Sequence, residues 1–178
     1  MTILGLLRHG EVTGGVCFRG HQDDPLSNKG LDQMRDSVKT TKWDGVVTSP
    51  LKRCAEFAKL VSQQQGIPLE TNKDLMEIYF GEWEGRTAAE LMDETPELLT
   101  KFWQDPDQNP PPGGEKLSAF AARVMRAKDT ILKQAGEQRI LLVTHAGVIR
   151  ILLCHDRQIP LINMFDIDVV HGGLYIST

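Results

Sequence analysis

The sequence predicts an α/β fold built on a mainly parallel sheet flanked by helices, and three observations predict it. Apolar runs of strand length alternate with longer amphipathic segments, which is the pattern of βα units. Three of these runs, "ILGLL", "GVVTS" and "ILLVT", lack polar alternation, as strands covered on both faces do. Each leads at its carboxyl end into polar groups: Arg8-His9-Gly10, then "SPLKR" ending at Arg53, then His145 and Gly147.

Taken in order, "TILGLL" predicts the first strand and "SNKGLDQMRDSVKT" the first helix, followed by "GVVTS" as a second strand. In "PLKRCAEFAKLVSQQQG", Leu51, Cys54, Ala58 and Val61 recur at helical spacing. Pro50 suits the first turn of that helix, and Gly66 can close it in the left-handed conformation. "TAAE", from Thr87 to Glu90, reads as a capping box opening a short helix, and Pro96 starts another through Trp103. "DPDQNPPPGGE" cannot hold regular structure, because prolines withhold donors and glycines loosen the backbone; it is a loop of about ten residues. From Leu117 to Ala135 a long helix carries Leu117, Phe120, Ala121, Val124 and Ile131 on or near one face, with Gly136 at its end. "RILLVTH" is a buried strand, "GVIRILLCH" a buried helix, and "FDIDVVHGGLYIST" two strands across a Gly-Gly turn.

The chain has 178 residues, 40% of them hydrophobic and 25% charged, which fits one domain with its own core. No run approaches the roughly 18 apolar residues of a membrane span, and the N-terminus lacks a basic and apolar leader, so a cytoplasmic location is expected. The net charge of −4 argues against a nucleic-acid surface, so an anion site would have to be a local basic cluster. Cys17, Cys54 and Cys154 show no close spacing and read as free buried thiols. His21, His155 and His171 have no partners at metal-ligand spacing, so no metal is expected. Trp43, Trp83 and Trp103 read as core residues, and Glu82 and Glu84 as exposed loop charges.

Ligands of open α/β sheets bind outside the carboxyl ends of the strands, so parallel pairing would gather Arg8, His9, Arg53 and His145 at one rim. Such a cluster is unfavourable unless an anion compensates it, and arginine's planar fork of donors matches phosphate oxygens. Helix amino termini at 50 and 147 would add backbone donors. The histidines suggest chemistry. A neutral imidazole fixed by a hydrogen bond at one nitrogen can attack phosphorus with the other, and His9 is best placed, with Gly10 allowing close approach. His145 would donate to a phosphate oxygen. The leaving alkoxide needs a proton, and in "LMEIYFGEWEG" Glu77, among apolar neighbours that should raise its pKa, is the best candidate for the donor. Taken singly, Arg53 reads as a solvated helix residue beside Lys52 and His145 as a strand cap. Their coincidence at strand ends is what no packing requirement explains.

With these residues assembled, the sequence resembles the histidine phosphatase superfamily, also called phosphoglycerate mutase-like. The resemblance runs through "LLRHGE", "DDPLSNKG", "VVTSPLKRCAEFA", "IYFGEWEG", "PPGGEKLSAFAARV" and "LLVTHAGVIR", and covers nearly the whole chain. Within the family it is most similar to the cobalamin-pathway branch that hydrolyses α-ribazole-5′-phosphate, through "FRGHQDDPLSNKG" and the "PPGGE" loop. It implies a three-layer α/β/α sandwich with a mainly parallel central sheet and a two-step reaction without metal or other cofactor. The matching positions give His9 as the phosphorylated nucleophile, Arg8, Arg53 and His145 as the phosphate pocket, and Glu77 as proton donor and then as base for the hydrolytic water. Many relatives carry a threonine after the glutamate of the first motif and an asparagine a few residues later, where this chain has Val12 and "TGG". Thr13, or backbone N–H groups around Gly14 and Gly15, would replace them, with Arg19 and Gly20 as further contacts.

The partner implied is a small-molecule phosphate ester, with no nucleic acid and no membrane; the oligomeric state is open. A mutase or a phosphatase for small phosphorylated metabolites is a second enzymatic reading. Mutases of the family carry a longer insertion and a C-terminal tail, and this chain is expected to end just after its last strand, which favours hydrolysis. A non-catalytic binder of phosphorylated ligands is the third. Phe80, Trp83 or Trp103 would wall the leaving group.

Overall fold

In the computed structural model, which describes residues 2–177, five strands join one sheet in the order β3-β2-β4-β1-β5. β1 (Ile3–Arg8), β2 (Gly45–Thr48), β3 (Leu69–Thr71) and β4 (Arg139–Thr144) run parallel. β5 (Leu174–Ser177) closes one edge antiparallel to β1. α1 (Asn28–Val38) and α2 (Lys52–Gln65) cover one face, while α5 (Leu117–Ala135) and α6 (Ala146–Asp156) cover the other.

The missing alternation in the strands follows from this layering. β1 sends Leu4 and Leu6 toward α5 and α6 and Leu7 toward α1 and α2; β4 likewise sends Ile140 and Leu142 one way and Leu141 and Val143 the other. Each such fully buried aliphatic side chain contributes about 1.5–3 kcal/mol relative to an exposed one. Gly5 sits between them for a steric reason, since a Cβ there would lie 2.1 Å from the ring of Trp43. α3 (Ala88–Glu94) and α4 (Pro96–Gln104) pack together and, with Trp83, build a small cluster of Trp83, Leu91, Leu99 and Phe102, with Phe18 and Phe80 packed against it.

The helix signals act as expected at most ends. Ser27 caps α1 by accepting from Gly30 N, Thr87 and Glu90 form the capping box of α3, and Pro96 is the first residue of α4. Gly66 ends α2 at φ 66° and ψ 36°, and α5 has the expected limits. Five expectations are corrected. Pro50 lies outside α2, because Leu51 is the extended cap that precedes the first helical residue, Lys52. β3 was not expected, and its three residues are all exposed, so it has no apolar signature. "FDIDVVHGGLYIST" contributes one strand instead of two, because Val169 O and Gly172 N bond to Arg8 and to His9 O, leaving that stretch no ladder partner. Trp103 is 48% exposed, so it is not a core residue. Cys17 is half-buried, while Cys54 and Cys154 are buried free thiols.

Candidate active site

The strand register creates the site. Arg8 pairs with Thr144 across β1 and β4, and His9 N donates to Thr144 O at 2.9 Å, so His9 and His145 leave adjacent strand ends side by side. Their ring centroids are 5.3 Å apart. Ser49, which follows β2, is fixed by its N–H to Val143 O and places its hydroxyl 2.8 Å from His145 Nε2. α2 then carries Arg53 in its first turn, near enough for its charge to bear on both rings.

His9 is only 7% exposed, and its Nδ1 lies 2.8 Å from the carbonyl oxygen of Gly10. A carbonyl can only accept, so Nδ1 carries the proton and Nε2 holds the free electron pair. The glycine beside it serves packing: a Cβ on Gly10 would meet Gly30 O at 2.0 Å, and one on Gly30 would meet Glu11 O at 2.0 Å. The close approach is thus between the chain after His9 and the first turn of α1.

Arg53 is fully buried and donates to the carbonyls of Gln22 and Gly20, both at 2.7 Å. Arg8 donates to Val169 O and, at 3.0 Å, to Nε2 of His171. Neither guanidinium has a carboxylate partner among the described residues, and the Nε–H of each is buried without an acceptor. Buried donors of this kind are rare in folded proteins and suit an incoming anion. An open cleft of about 460 Å³ reaches Arg8 and is walled also by His9, Glu11, Arg19, His171 and the turn that carries Val16 and Cys17.

Glu77 is 8% exposed, but its surroundings are less apolar than its sequence neighbours suggest. One carboxylate oxygen accepts from Ile78 N and the other from Gly147 N, each at 3.0 Å. A Cβ on Gly147 would lie 2.2 Å from Glu77 Oε1, so the glycine opens the first turn of α6 to this carboxylate. The loop carrying Glu77 is latched from α5. Arg123 donates to the carbonyls of Asp74, Met76 and Glu77 at 2.7–2.9 Å and makes a two-pronged ion pair with Glu115 of the "PPGGE" loop. His21 Nε2 adds a bond to the same Glu77 carbonyl at 3.0 Å.

Arg8 and His9 line this cleft, and Arg19 reaches its wall with its Nε on Asp24 at 2.7 Å. Arg53 and His145 are fully buried close to His9, and Glu77 lines a second cavity. Thr13 and Gly20 are not brought to the cleft. Thr13 turns its hydroxyl to Pro25 O, and Gly20 lies beneath, where its carbonyl holds Arg53. The helix amino termini are also engaged otherwise than expected: Lys52 N donates to Asp23 and Gly147 N to Glu77. Glu84 is a half-buried clamp accepting from the backbone of His21, Gln22 and Phe80, whereas Glu82 is exposed as expected. Phe80 lines a second cavity, of about 60 Å³, together with Glu77, Phe102, Arg150 and Phe165; Trp83 is in the aromatic core and Trp103 is on neither cavity. Sequence reasoning missed Ser49, the Arg123–Glu115 latch and His171. Only "PPGGEKLSAFAARV" hinted at the latch, by holding both of its members. Among the described residues no group of three or more His, Cys, Asp and Glu could hold a metal, and no helix is long and apolar enough to cross a membrane.

Burial and the charge of Arg53, then Arg8 and His171, hold the His9 imidazole well below its ordinary range; burial, Arg53 and His9 do the same to His145. His171 is pushed down to about 4 by lost hydration and Arg8. The unfolded chain would bind protons at all three below about pH 6.5, where the folded chain binds fewer, so stability rises with pH. Stability at neutral pH is therefore expected to be lost progressively as pH falls from about 6.5 toward 4. The urea midpoint measured from pH 7.5 to 4.5 should fall over that window; a flat profile would mean that these imidazoles titrate alike in both states.

The chain belongs to the histidine phosphatase superfamily (branch 1), whose family model matches residues 4–178. Among its relatives, the adenosylcobalamin/alpha-ribazole phosphatase of Salmonella typhimurium is 30% identical over 174 residues, covering 95% of this chain and 86% of that protein. The crystal structure of the alpha-ribazole phosphatase from Shigella flexneri superposes with a TM-score of 0.86 at 30% identity, covering 98% of this chain and 89% of that one. Bacillus stearothermophilus YhfR gives a TM-score of 0.87 at 31% identity, over 99% and 90% of the two chains. The three-layer architecture expected from the sequence is the fold of this family.

Proposed function

We propose that this protein is a phosphomonoesterase working through a phosphohistidine, with the 5′-phosphate of a nucleotide-like cobalamin precursor, α-ribazole-5′-phosphate, as its substrate. One observation carries the mechanism: His9 Nε2 is left free by the Nδ1 bond to Gly10 O, between two guanidinium groups that lack carboxylate partners. Nε2 attacks phosphorus as the ester oxygen leaves, and Glu77 gives that oxygen a proton. Arg8, Arg53 and His145 hold the charge on the transferring group. Water, deprotonated by Glu77, then releases phosphate from His9. The substrate assignment rests on the relatives from Salmonella typhimurium and Shigella flexneri together with the "FRGHQDDPLSNKG" and "PPGGE" stretches.

A second reading, a phosphatase for small phosphorylated metabolites, is favoured by the cavity beside Glu77. At about 60 Å³ it is small beside the cleft of about 460 Å³ at Arg8 and His9, so a leaving group that extended toward Glu77 would have to be small. It also holds Arg150, a cation whose bonded partners are Ile167 O and the face of Phe165. Turnover of α-ribazole-5′-phosphate, 3-phosphoglycerate, phosphoserine and sugar phosphates under identical conditions separates the two. A kcat/KM at least about tenfold higher for α-ribazole-5′-phosphate is expected, a difference of about 1.4 kcal/mol in transition-state binding. Preference for a carboxylated substrate would hand the assignment to the second reading.

A further inference from the structure

The proton of His171 is placed by its neighbour. Arg8 Nη2 stands 3.0 Å from His171 Nε2, and a guanidinium has only donors to offer. Nε2 therefore accepts, and the single proton of the neutral ring lies on Nδ1. Among the described residues Nδ1–H has no partner. The ring forms part of the cleft wall, with its centroid 5.7 Å from that of His9.

The backbone around His171 is tied down on both sides. Arg8 bonds Val169 O, Gly172 N donates to His9 O at 3.2 Å, and Ser37 Oγ donates to Gly172 O. Gly172 has φ 69°, and a Cβ there would meet Gln33 at 2.7 Å, so this turn is pressed against α1. The carboxylate on the same cleft wall, Glu11, is already engaged by Lys29 and Ser27, each at 2.9 Å. The cleft is thus lined by Arg8 and by the rings of His9, whose Nε2 has no partner among the described residues, and His171, whose Nδ1–H has none.

We infer that His171 is a phosphate-binding residue, its Nδ1–H donating to an oxygen of the phosphoryl group held beside Arg8 and His9. The inference rests on the phosphatase reading above for the identity of the anion. Lost hydration, and after it the Arg8 charge that also fixes the tautomer, hold His171 neutral. It therefore adds a directed hydrogen bond to the cationic pocket without adding charge.

Titration of inorganic phosphate into the full chain reads this directly. His171→Ala is expected to weaken phosphate binding about 10–100-fold, the loss of one hydrogen bond to a charged acceptor. His171→Asn, whose Nδ2–H can take the place of the imidazole Nδ1–H, is expected to bind within about threefold of the parent. Nitrogen chemical shifts should show Nδ1 protonated and Nε2 bare, with Nδ1 moving as phosphate is added. Unchanged affinity in His171→Ala, equal losses in the alanine and asparagine variants, or a proton on Nε2 would each overturn the inference. Binding is read apart from turnover, so the two readings fail separately. A chain that binds phosphate through His171 but hydrolyses no ester would retain this inference and lose the phosphatase; the reverse result would do the opposite.

Discussion

Replacing His9 by alanine is expected to lower turnover of p-nitrophenyl phosphate by about 10⁴-fold or more, roughly 5 kcal/mol of barrier, while the protein stays folded. The size follows from what is removed. Among the described residues His9 Nε2 has no hydrogen-bond partner and its Nδ1 is fixed by Gly10 O, whereas His145 Nε2 lies 2.8 Å from Ser49 Oγ and His171 Nε2 accepts from Arg8. Without His9 the reaction would need direct attack by water. Cys54 does not substitute, since burial raises its thiol pKa and its sulfur faces Thr144 O and His145. The parent should trap acid-labile phosphate on His9 during turnover, and His9→Ala should trap none. Full activity in the variant, or label found on another residue, would remove the covalent mechanism.

How far the fold could be read in advance depended on whether a segment's partners were local. β1 and β4 were legible because they are apolar without alternation and end at polar residues, and α5 because its buried side chains recur with a helical period and Gly136 ends it. β3 was not, because Leu69, Glu70 and Thr71 are all exposed and owe their strand to pairing with β2 alone. Arg8, His9, Arg53 and His145 could be gathered on paper because strand ends converge in any parallel sheet. Arg123 could not be placed the same way. Its carbonyl acceptors lie 46–49 residues back in the chain, and nothing in the spacing of "FAARV" marks that it reaches them. His171 was read only as a poor metal ligand; its contact with Arg8 spans 163 residues. Thr13 shows the opposite error, since being near the first motif in sequence did not turn its hydroxyl inward.

Glu77→Gln is expected to change which step limits turnover, and this separates its two proposed roles. With an alkyl phosphate, the leaving oxygen needs the proton that glutamine cannot give, so the first step should slow by about 10²–10⁴-fold and little phosphoenzyme should accumulate. With p-nitrophenyl phosphate the leaving group departs readily as the anion, and the first step should proceed. The second step still needs a base for water. The variant should therefore release a burst of about one nitrophenolate per site and then stall with His9 phosphorylated. Glutamine has a structural cost as well, because both Glu77 oxygens accept backbone N–H groups, from Ile78 and Gly147, and its amide nitrogen must face one of these donors. That mismatch costs about 1–3 kcal/mol of stability, so the burst is counted per folded site. Gly147→Ala is the companion variant: it keeps the carboxylate but forces it away from a Cβ that would lie 2.2 Å from Oε1, and it should slow alkyl phosphates more than p-nitrophenyl phosphate. Equal slowing of both substrates by Glu77→Gln, with no burst, would mean that Glu77 holds the α6 terminus in place and moves no proton.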